Sequence, residues 1–256
     1  MSIFDDVKRF LPVVACAGLV AVAPSAHAWD WTWGWGGKSV KGSGVVKTET
    51  RHVTGFNRIS LSIPARVEVI QGNTEGITIE GDDNIVPLVE TVVENNSLNI
   101  RFAERDLSIS TKTLRLVVNV KTVEGLSVAG SGELHASKLQ SATLKASIAG
   151  AGDVNIAHLD TESLTVSIAG SGNFAAAGKA KTIQTKIAGS GDIKIGKLEA
   201  NSVTISVAGS GDATVWATDS LKVSVAGSGD VKYYGDAKVS QSVAGSGSVK
   251  RLGAAP

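Results

Sequence analysis

Polar and apolar residues alternate with period two along most of the chain beyond residue 45. Leu164, Val166 and Ile168 fall on one side of their segment and Thr165 and Ser167 on the other; Val154 with Ile156, and Ile193 with Ile195, repeat the pattern. Such alternation marks a strand buried on one face, and no segment carries a comparable helical stripe. The alternation is punctuated by a recurring phrase, Ala-Gly-Ser-Gly, whose copies begin at Ala129, Ala149, Ala169, Ala188, Ala208, Ala226 and Ala244. Successive spacings are 20, 20, 19, 20, 18 and 18 residues, and the second copy reads Ala-Gly-Ala-Gly. Seven copies at a near-constant period define a structural repeat.

A unit of this length holds two or three short strands and cannot bury its apolar side alone. It must stack on its neighbours and share one continuous core. The predicted fold is therefore all-β: a parallel β-helix, or β-solenoid, with rungs of 18–20 residues and glycines at the corners. The serine between the glycines can bond nearby backbone and help close the turn.

Residues 45–125 lack the glycine phrase but keep the strand grammar. Ile59-Ser60-Leu61-Ser62-Ile63 followed by Val67-Glu68-Val69 reads as a rung whose corner is rewritten as Pro64-Ala65-Arg66. Further strands are expected at residues 76–80, 98–102 and 114–120, while residues 84–94 fit either a strand or a helical turn. This half reads as irregular rungs continuous with the repeats, with a separate small β-sandwich as the alternative.

Gly55-Phe56-Asn57-Arg58-Ile59, Gln71-Gly72, Gly81-Asp82-Asp83-Asn84, the serial glycine corners, Gly211 to Trp216 and Tyr233-Tyr234-Gly235-Asp236 together resemble the bacterial head GIN domain family of auto-transporter adhesins, over residues 43–252. The resemblance implies an exported, solenoid-like β protein without established catalytic residues. It assigns no site.

The N-terminus adds an address. Lys8 and Arg9 precede an apolar run over residues 10–23, and Ala26-His27-Ala28 follows as a small-residue cleavage pattern. This reads as a secretory signal peptide cut after Ala28. An uncleaved anchor is the weaker alternative, because the run is short for a membrane span. Val13-Val14-Ala15-Cys16 also satisfies the loose pattern before a lipid-modified cysteine, a minority lipoprotein reading. Four segments follow: 1–28 signal peptide, 29–44 a Trp/Gly-rich arm, 45–125 irregular rungs and 126–252 regular rungs, with 45–252 as one continuous domain. The destination is the periplasm or the cell surface.

Cys16 is the only cysteine, so cleavage after Ala28 leaves a chain without disulfides or thiolate ligands. Of 25 basic and 24 acidic residues the leader holds two of each, leaving 23 and 22 and a net charge of +1. A balanced chain without a basic run does not suggest nucleic acid as partner. Beyond the leader no apolar run is long enough to cross a bilayer.

Candidate chemistry is sparse. After each corner stands Glu133, Asp153, Asn173, Asp192, Asp212, Asp230 or Ser248. Stacked at strand spacing, these form a ladder that could hold divalent cations through Asp153, Asp192, Asp212 and Asp230. The competing reading, which the lapses at Asn173 and Ser248 favour, is turn chemistry, since Asp and Asn side chains bond local backbone. Trp29, Trp31, Trp33 and Trp35 alternate after the cleavage site and would present one aromatic face to a sugar or a membrane interface. A mobile or end-capping arm is the plainer account, given Gly34, Gly36 and Gly37. Trp216 reads as core or cap.

His52, His135 and His158 are scattered. The last two could stack on one face, but without a third ligand they make a poor metal site. The glycine phrase lacks the Lys-Ser/Thr and the helix of a phosphate loop, and no catalytic motif or cofactor signature is present. Parallel β-helices include polysaccharide lyases and hydrolases, yet Asp153, Lys194, Asp212 and Lys232 are merely available, none singled out. The function expected is a non-catalytic adhesin binding a glycan or a cell-surface component. The alternatives are a structural envelope protein and a polysaccharide-degrading enzyme. The short tail after Arg251 promises little cover for the last rung, so end-to-end self-association is expected as well.

Overall fold

The computed structural model describes residues 39–104, 107–111 and 113–256. Its first strands are β1 (Ser39–Lys41), β2 (Val46–Arg51), β3 (Arg58–Leu61), β4 (Arg66–Gln71), β5 (Gly76–Asp82), β6 (Val89–Glu94), β7 (Ser97–Phe102), β8 (Ser108–Ser110) and β9 (Arg115–Val120). The repeats supply β10 (Gly125–Gly130), β11 (Glu133–Ala136), β12 (Leu139–Gly150), β13 (Asp153–Gly170), β14 (Asn173–Gly189), β15 (Ile193–Gly209), β16 (Ala213–Gly227), β17 (Val231–Tyr234), β18 (Lys238–Gly245) and β19 (Val249–Gly253). Among the described residues the helical element is one 3-10 turn, Val86–Leu88. Residues 84–94 thus contain both forms the sequence left open, the turn and then β6.

From β10 onward every strand pairs with its neighbours in parallel. The corner alanines stand in one column: Ala129 pairs with Ala149, Ala149 with Ala169, and so on through Ala188, Ala208 and Ala226 to Ala244. This is the predicted β-solenoid. The shorter repeats are absorbed away from the glycine corner. Between Ile195 and Glu199 the chain of β15 loops past the single step from Val215 to Trp216, and β16 returns part of the difference before Ser220.

Each corner needs glycine for two different reasons. Gly170 sits at φ +127°, and a Cβ there would lie 2.3 Å from the Gly150 carbonyl oxygen of the rung below. At Gly172 the obstacle is space: a Cβ would lie 2.2 Å from the Gly152 oxygen and 2.5 Å from Ile148 Cγ2. Inward residues such as Leu164, Val166, Ile168, Phe174 and Ile183 form one unbroken buried column with those of the other rungs.

The first half departs from chain order. β3 and β4 do form the rung read around Pro64-Ala65-Arg66, and its register is tight: Ile59 pairs with Leu126 and Val67 with Leu134. On their other side lie β7 and β9, also parallel. The axial order is therefore β7/β9, then β3/β4, then β10/β11, so the earliest rung is the second in the stack. Of the remaining strands β1 and β8 pair with each other in parallel, and the others are antiparallel: β5 covers β9, β2 covers β5, and β6 covers β7. They close this end of the solenoid instead of extending it.

Polar side chains pin the closing strands. Arg51 donates to the carbonyls of Val89 and Val86, at 2.5 and 3.1 Å, satisfying backbone acceptors at the 3-10 turn. Asp82, only 4% exposed, accepts from the Gly44 amide and the Thr111 hydroxyl, while Asn84 donates to the Lys41 carbonyl. The Gly81-Asp82-Asp83-Asn84 segment is thus a clamp on residues 41–44. Among the described residues the opposite end has no such cover: inward-pointing Val239 and Val243 are 38% and 39% exposed and Leu252 43%.

Candidate binding faces

Where the chain turns from the glycine corner, the acidic column forms as expected: Glu133 pairs with Asp153 and Asp153 with Asn173. Its carboxylates are engaged with backbone. Asp153 accepts the Asn173 amide N–H at 3.0 Å and its side-chain amide at 2.8 Å. Asp192 accepts from the Asp212 N–H, Asp212 from the Asp230 N–H at 2.8 Å, and Asp230 from the Ser248 N–H and hydroxyl at 2.9 and 2.8 Å. Each of these aspartates therefore ties its corner to the next rung, while Glu133 is held by Arg66. The Ser248 side-chain and backbone donors, with Lys232 nearby, hold the Asp230 carboxyl below its ordinary range. Among the described residues no group of three His, Cys, Asp or Glu is gathered as for a metal.

His135 pairs with Asn155 and Glu68, whereas His158 falls at the irregular step between Ile156 and Leu159. The two histidines do not share a column. The repeat lengths agree there, but the offsets from the corner differ by three residues, enough to carry His158 round the next bend. Trp216 is outside the core: it is half-buried on the outer side, paired with Tyr234 and packed over Gly235. Ala28, Trp29, Trp31, Trp33 and Trp35, with Cys16 and the leader, lie outside the described residues.

Concave regions line the solenoid, three of them of more than 400 Å³. One, of about 770 Å³, follows the corner remote from the glycines. Its charges are mixed, and Glu162 is held below its usual range by the hydrogen bond from Lys181 at 2.6 Å. A second, of about 490 Å³, is floored by Ala175, Ala177 and Gly196 and bounded by Tyr234 and Pro256. The third, of about 460 Å³, opens around Gly125 between Arg58 and Lys145.

That third hollow belongs to a long flat face, the outer surface of β3, β10, β12, β13, β14, β15, β16 and β18. Three columns of outward residues run along it. One reads Ser60, Ser127, Ser147, Ser167, Lys186, Ser206, Ser224 and Ser242; the next reads Arg58, Gly125, Lys145, Thr165, Gln184, Thr204, Lys222 and Ser240. The third reads Thr143, Ser163, Thr182, Ser202, Ser220 and Lys238. The columns contain hydroxyls and five bases but no acid. Sequence reasoning missed this grouping, although the signal was there: these are the outward positions before each glycine phrase.

The described residues thus form a parallel solenoid with flat, in-register outer faces. The family model described as "Putative auto-transporter adhesin, head GIN domain" matches residues 55–237, and the chain belongs to that family. None of the curated proteins matches it. Solved structures do. A "putative adhesin" from Bacteroides fragilis NCTC 9343 superposes with a TM-score of 0.78 at 29% identity, covering 83% of this chain and all of that one. A "putative lipid binding protein" from Parabacteroides distasonis ATCC 8503 (TM-score 0.70, 24% identity, 84% and 100% covered) and a "putative adhesin" from Parabacteroides merdae ATCC 43184 (0.69, 24%, 84% and 99%) share the fold. None of the three is named as an enzyme.

Proposed function

We propose that this protein is an exported adhesion module, a non-catalytic β-solenoid that binds an envelope or cell-surface glycan along its outer faces. Membership of the head GIN domain family carries the reading. The in-register outer faces support it, because they repeat the same polar chemistry at every rung and suit a polymer with its own repeat. The signal-peptide pattern ending at Ala28 supports export, to the periplasm or the cell surface. The engagement of the corner carboxylates with backbone N–H groups favours a calcium-independent contact.

The test is an array of envelope and surface polysaccharides probed with the chain from Trp29 onward, in calcium and in chelator, with product release assayed in the same wells. Saturable binding without product release, unchanged by chelator, is the expected outcome. Turnover would move the protein to the polysaccharide-degrading enzymes, and indifference to every glycan would leave a structural envelope role.

A further inference from the structure

Bases are unusual on the acid-free face in both number and position. The chain as a whole carries 25 basic and 24 acidic residues, yet the outward positions of this face hold Arg58, Lys145, Lys186, Lys222 and Lys238 and no acid. All five are exposed. Among the described residues none of them is within ion-pair distance of an acid, in contrast to Arg66, Arg101, Lys181 and Lys194, each of which has a carboxylate partner. Their hydroxyl neighbours are largely uncommitted too. Apart from the Ser202–Ser220 pair at 2.9 Å and Thr182, which donates to the Glu162 carbonyl, the hydroxyls of the three columns make no hydrogen bond among the described residues.

Position sharpens the point. In stacking order the rungs run β3, β10, β12, β13, β14, β15, β16 and β18, and the bases stand on β3 (Arg58), β12 (Lys145), β14 (Lys186), β16 (Lys222) and β18 (Lys238). The first four therefore occur on every second rung, about 9.6 Å apart along the axis. Protection of a sheet edge explains lysines on edge strands, and accounts for Lys238. It does not account for the other four, whose strands are paired on both sides. Between the first two lies the hollow at Gly125, across which the Arg58 stem leans and which Glu124 also lines, so the more open contacts of the series are at Lys145, Lys186 and Lys222.

We propose that this face is a track for a linear anionic polysaccharide carrying one carboxylate per disaccharide, its acids meeting Arg58, Lys145, Lys186 and Lys222 in turn and its hydroxyls meeting the serines and threonines between them. The two-rung interval is close to the length of a disaccharide in an extended glycan, so charge and spacing coincide without bending the polymer. The proposal rests on the adhesion reading and names the ligand class and the face.

The experiment uses the full chain from Trp29 with hyaluronan fragments, linear and with one carboxylate per disaccharide, as the probe. Double-stranded DNA serves as a polyanion of different spacing and dextran as a neutral glycan. Saturable hyaluronan binding is expected, weakening as monovalent salt rises. In Lys145→Gln/Lys186→Gln/Lys222→Gln the affinity falls at least about tenfold, as loss of three anion contacts requires. Lys232→Gln/Lys250→Gln, on the face beyond the glycine corner, leaves it within about twofold. Retained affinity in the triple variant, or DNA bound as tightly as hyaluronan, would overturn the proposal. Binding of dextran or another neutral glycan, with none to hyaluronan, would overturn the track while leaving the adhesion reading standing. Indifference to every glycan would remove both.

Discussion

At the scale of single residues, the acidic corner shows how a side chain that reads as a ligand becomes part of the scaffold. Five carboxylates in one column would repel one another if their charges faced only solvent. Here Asp153, Asp192, Asp212 and Asp230 each meet a backbone N–H of the following rung, so part of each charge is met by a fixed donor. Asp230 has two donors from Ser248 and the clearest consequence. Its native carboxyl titrates below the unfolded range of about 3.9. The stability it contributes is therefore complete above that value and is lost as pH falls through the lower native value. Denaturant titrations from neutral pH into this acid window are expected to show a steeper loss for the native chain than for Asp230→Asn. Parallel curves would mean that the Ser248 contacts do not favour the charged form.

At the scale of the element, the rung corner is governed by distance between successive backbones. A strand rung is thin, and the two glycines allow one corner to nest on the next with carbonyl oxygens closer than any Cβ permits. Gly172→Ala must push against backbone and against Ile148, so it is expected to destabilise by about 1–3 kcal/mol. Ser171→Ala, at the exposed residue between the glycines, stays within about 0.5 kcal/mol. Equilibrium urea unfolding distinguishes the two; equal effects would show that the corner relaxes freely. The rung β3/β4 shows the same requirement met by other means: Pro64 and Ala65 turn the chain where no glycine stands, and Arg66 is ion-paired with Glu133 of the adjoining rung at 2.8 Å.

At the scale of the whole molecule, the two ends of the solenoid differ. The antiparallel strands β2, β5 and β6 close the first end, held by Arg51 and Asp82. At the other end, among the described residues, β18 pairs only with β16 and β19 only with β17. Unpaired backbone groups lie there beside Val239 and Val243, a combination that invites strand addition. Concentration-dependent association is expected in light scattering, and Val243→Lys should suppress it by placing a charge at the exposed end. A single monomeric mass over the full concentration range would sink this expectation.

Strand identity, rung period and the corner glycines were legible in the order of residues, because alternation and glycine spacing are local consequences of pleat geometry and steric room. So was the unusual rung around Pro64. The stacking order β7/β9, β3/β4, β10/β11 was not legible, since a parallel rung shows the same alternation whichever neighbour it receives. Nor was the antiparallel closure, for the same reason. The acids of the corner announced their column but not their partners, which belong to the next rung some 18–20 residues away. The bases of the flat face were separated in the chain by 87, 41 and 36 residues, from Arg58 to Lys145, to Lys186 and to Lys222. Only stacking brought them onto one face at a regular axial interval, Lys186 one column over from the other three. The sequence by itself determined what each rung looks like, because that depends on residues within reach of one another along the strand. The tertiary structure alone decided which rungs meet and what their outer faces add up to, because register between distant segments is settled by packing of the shared core.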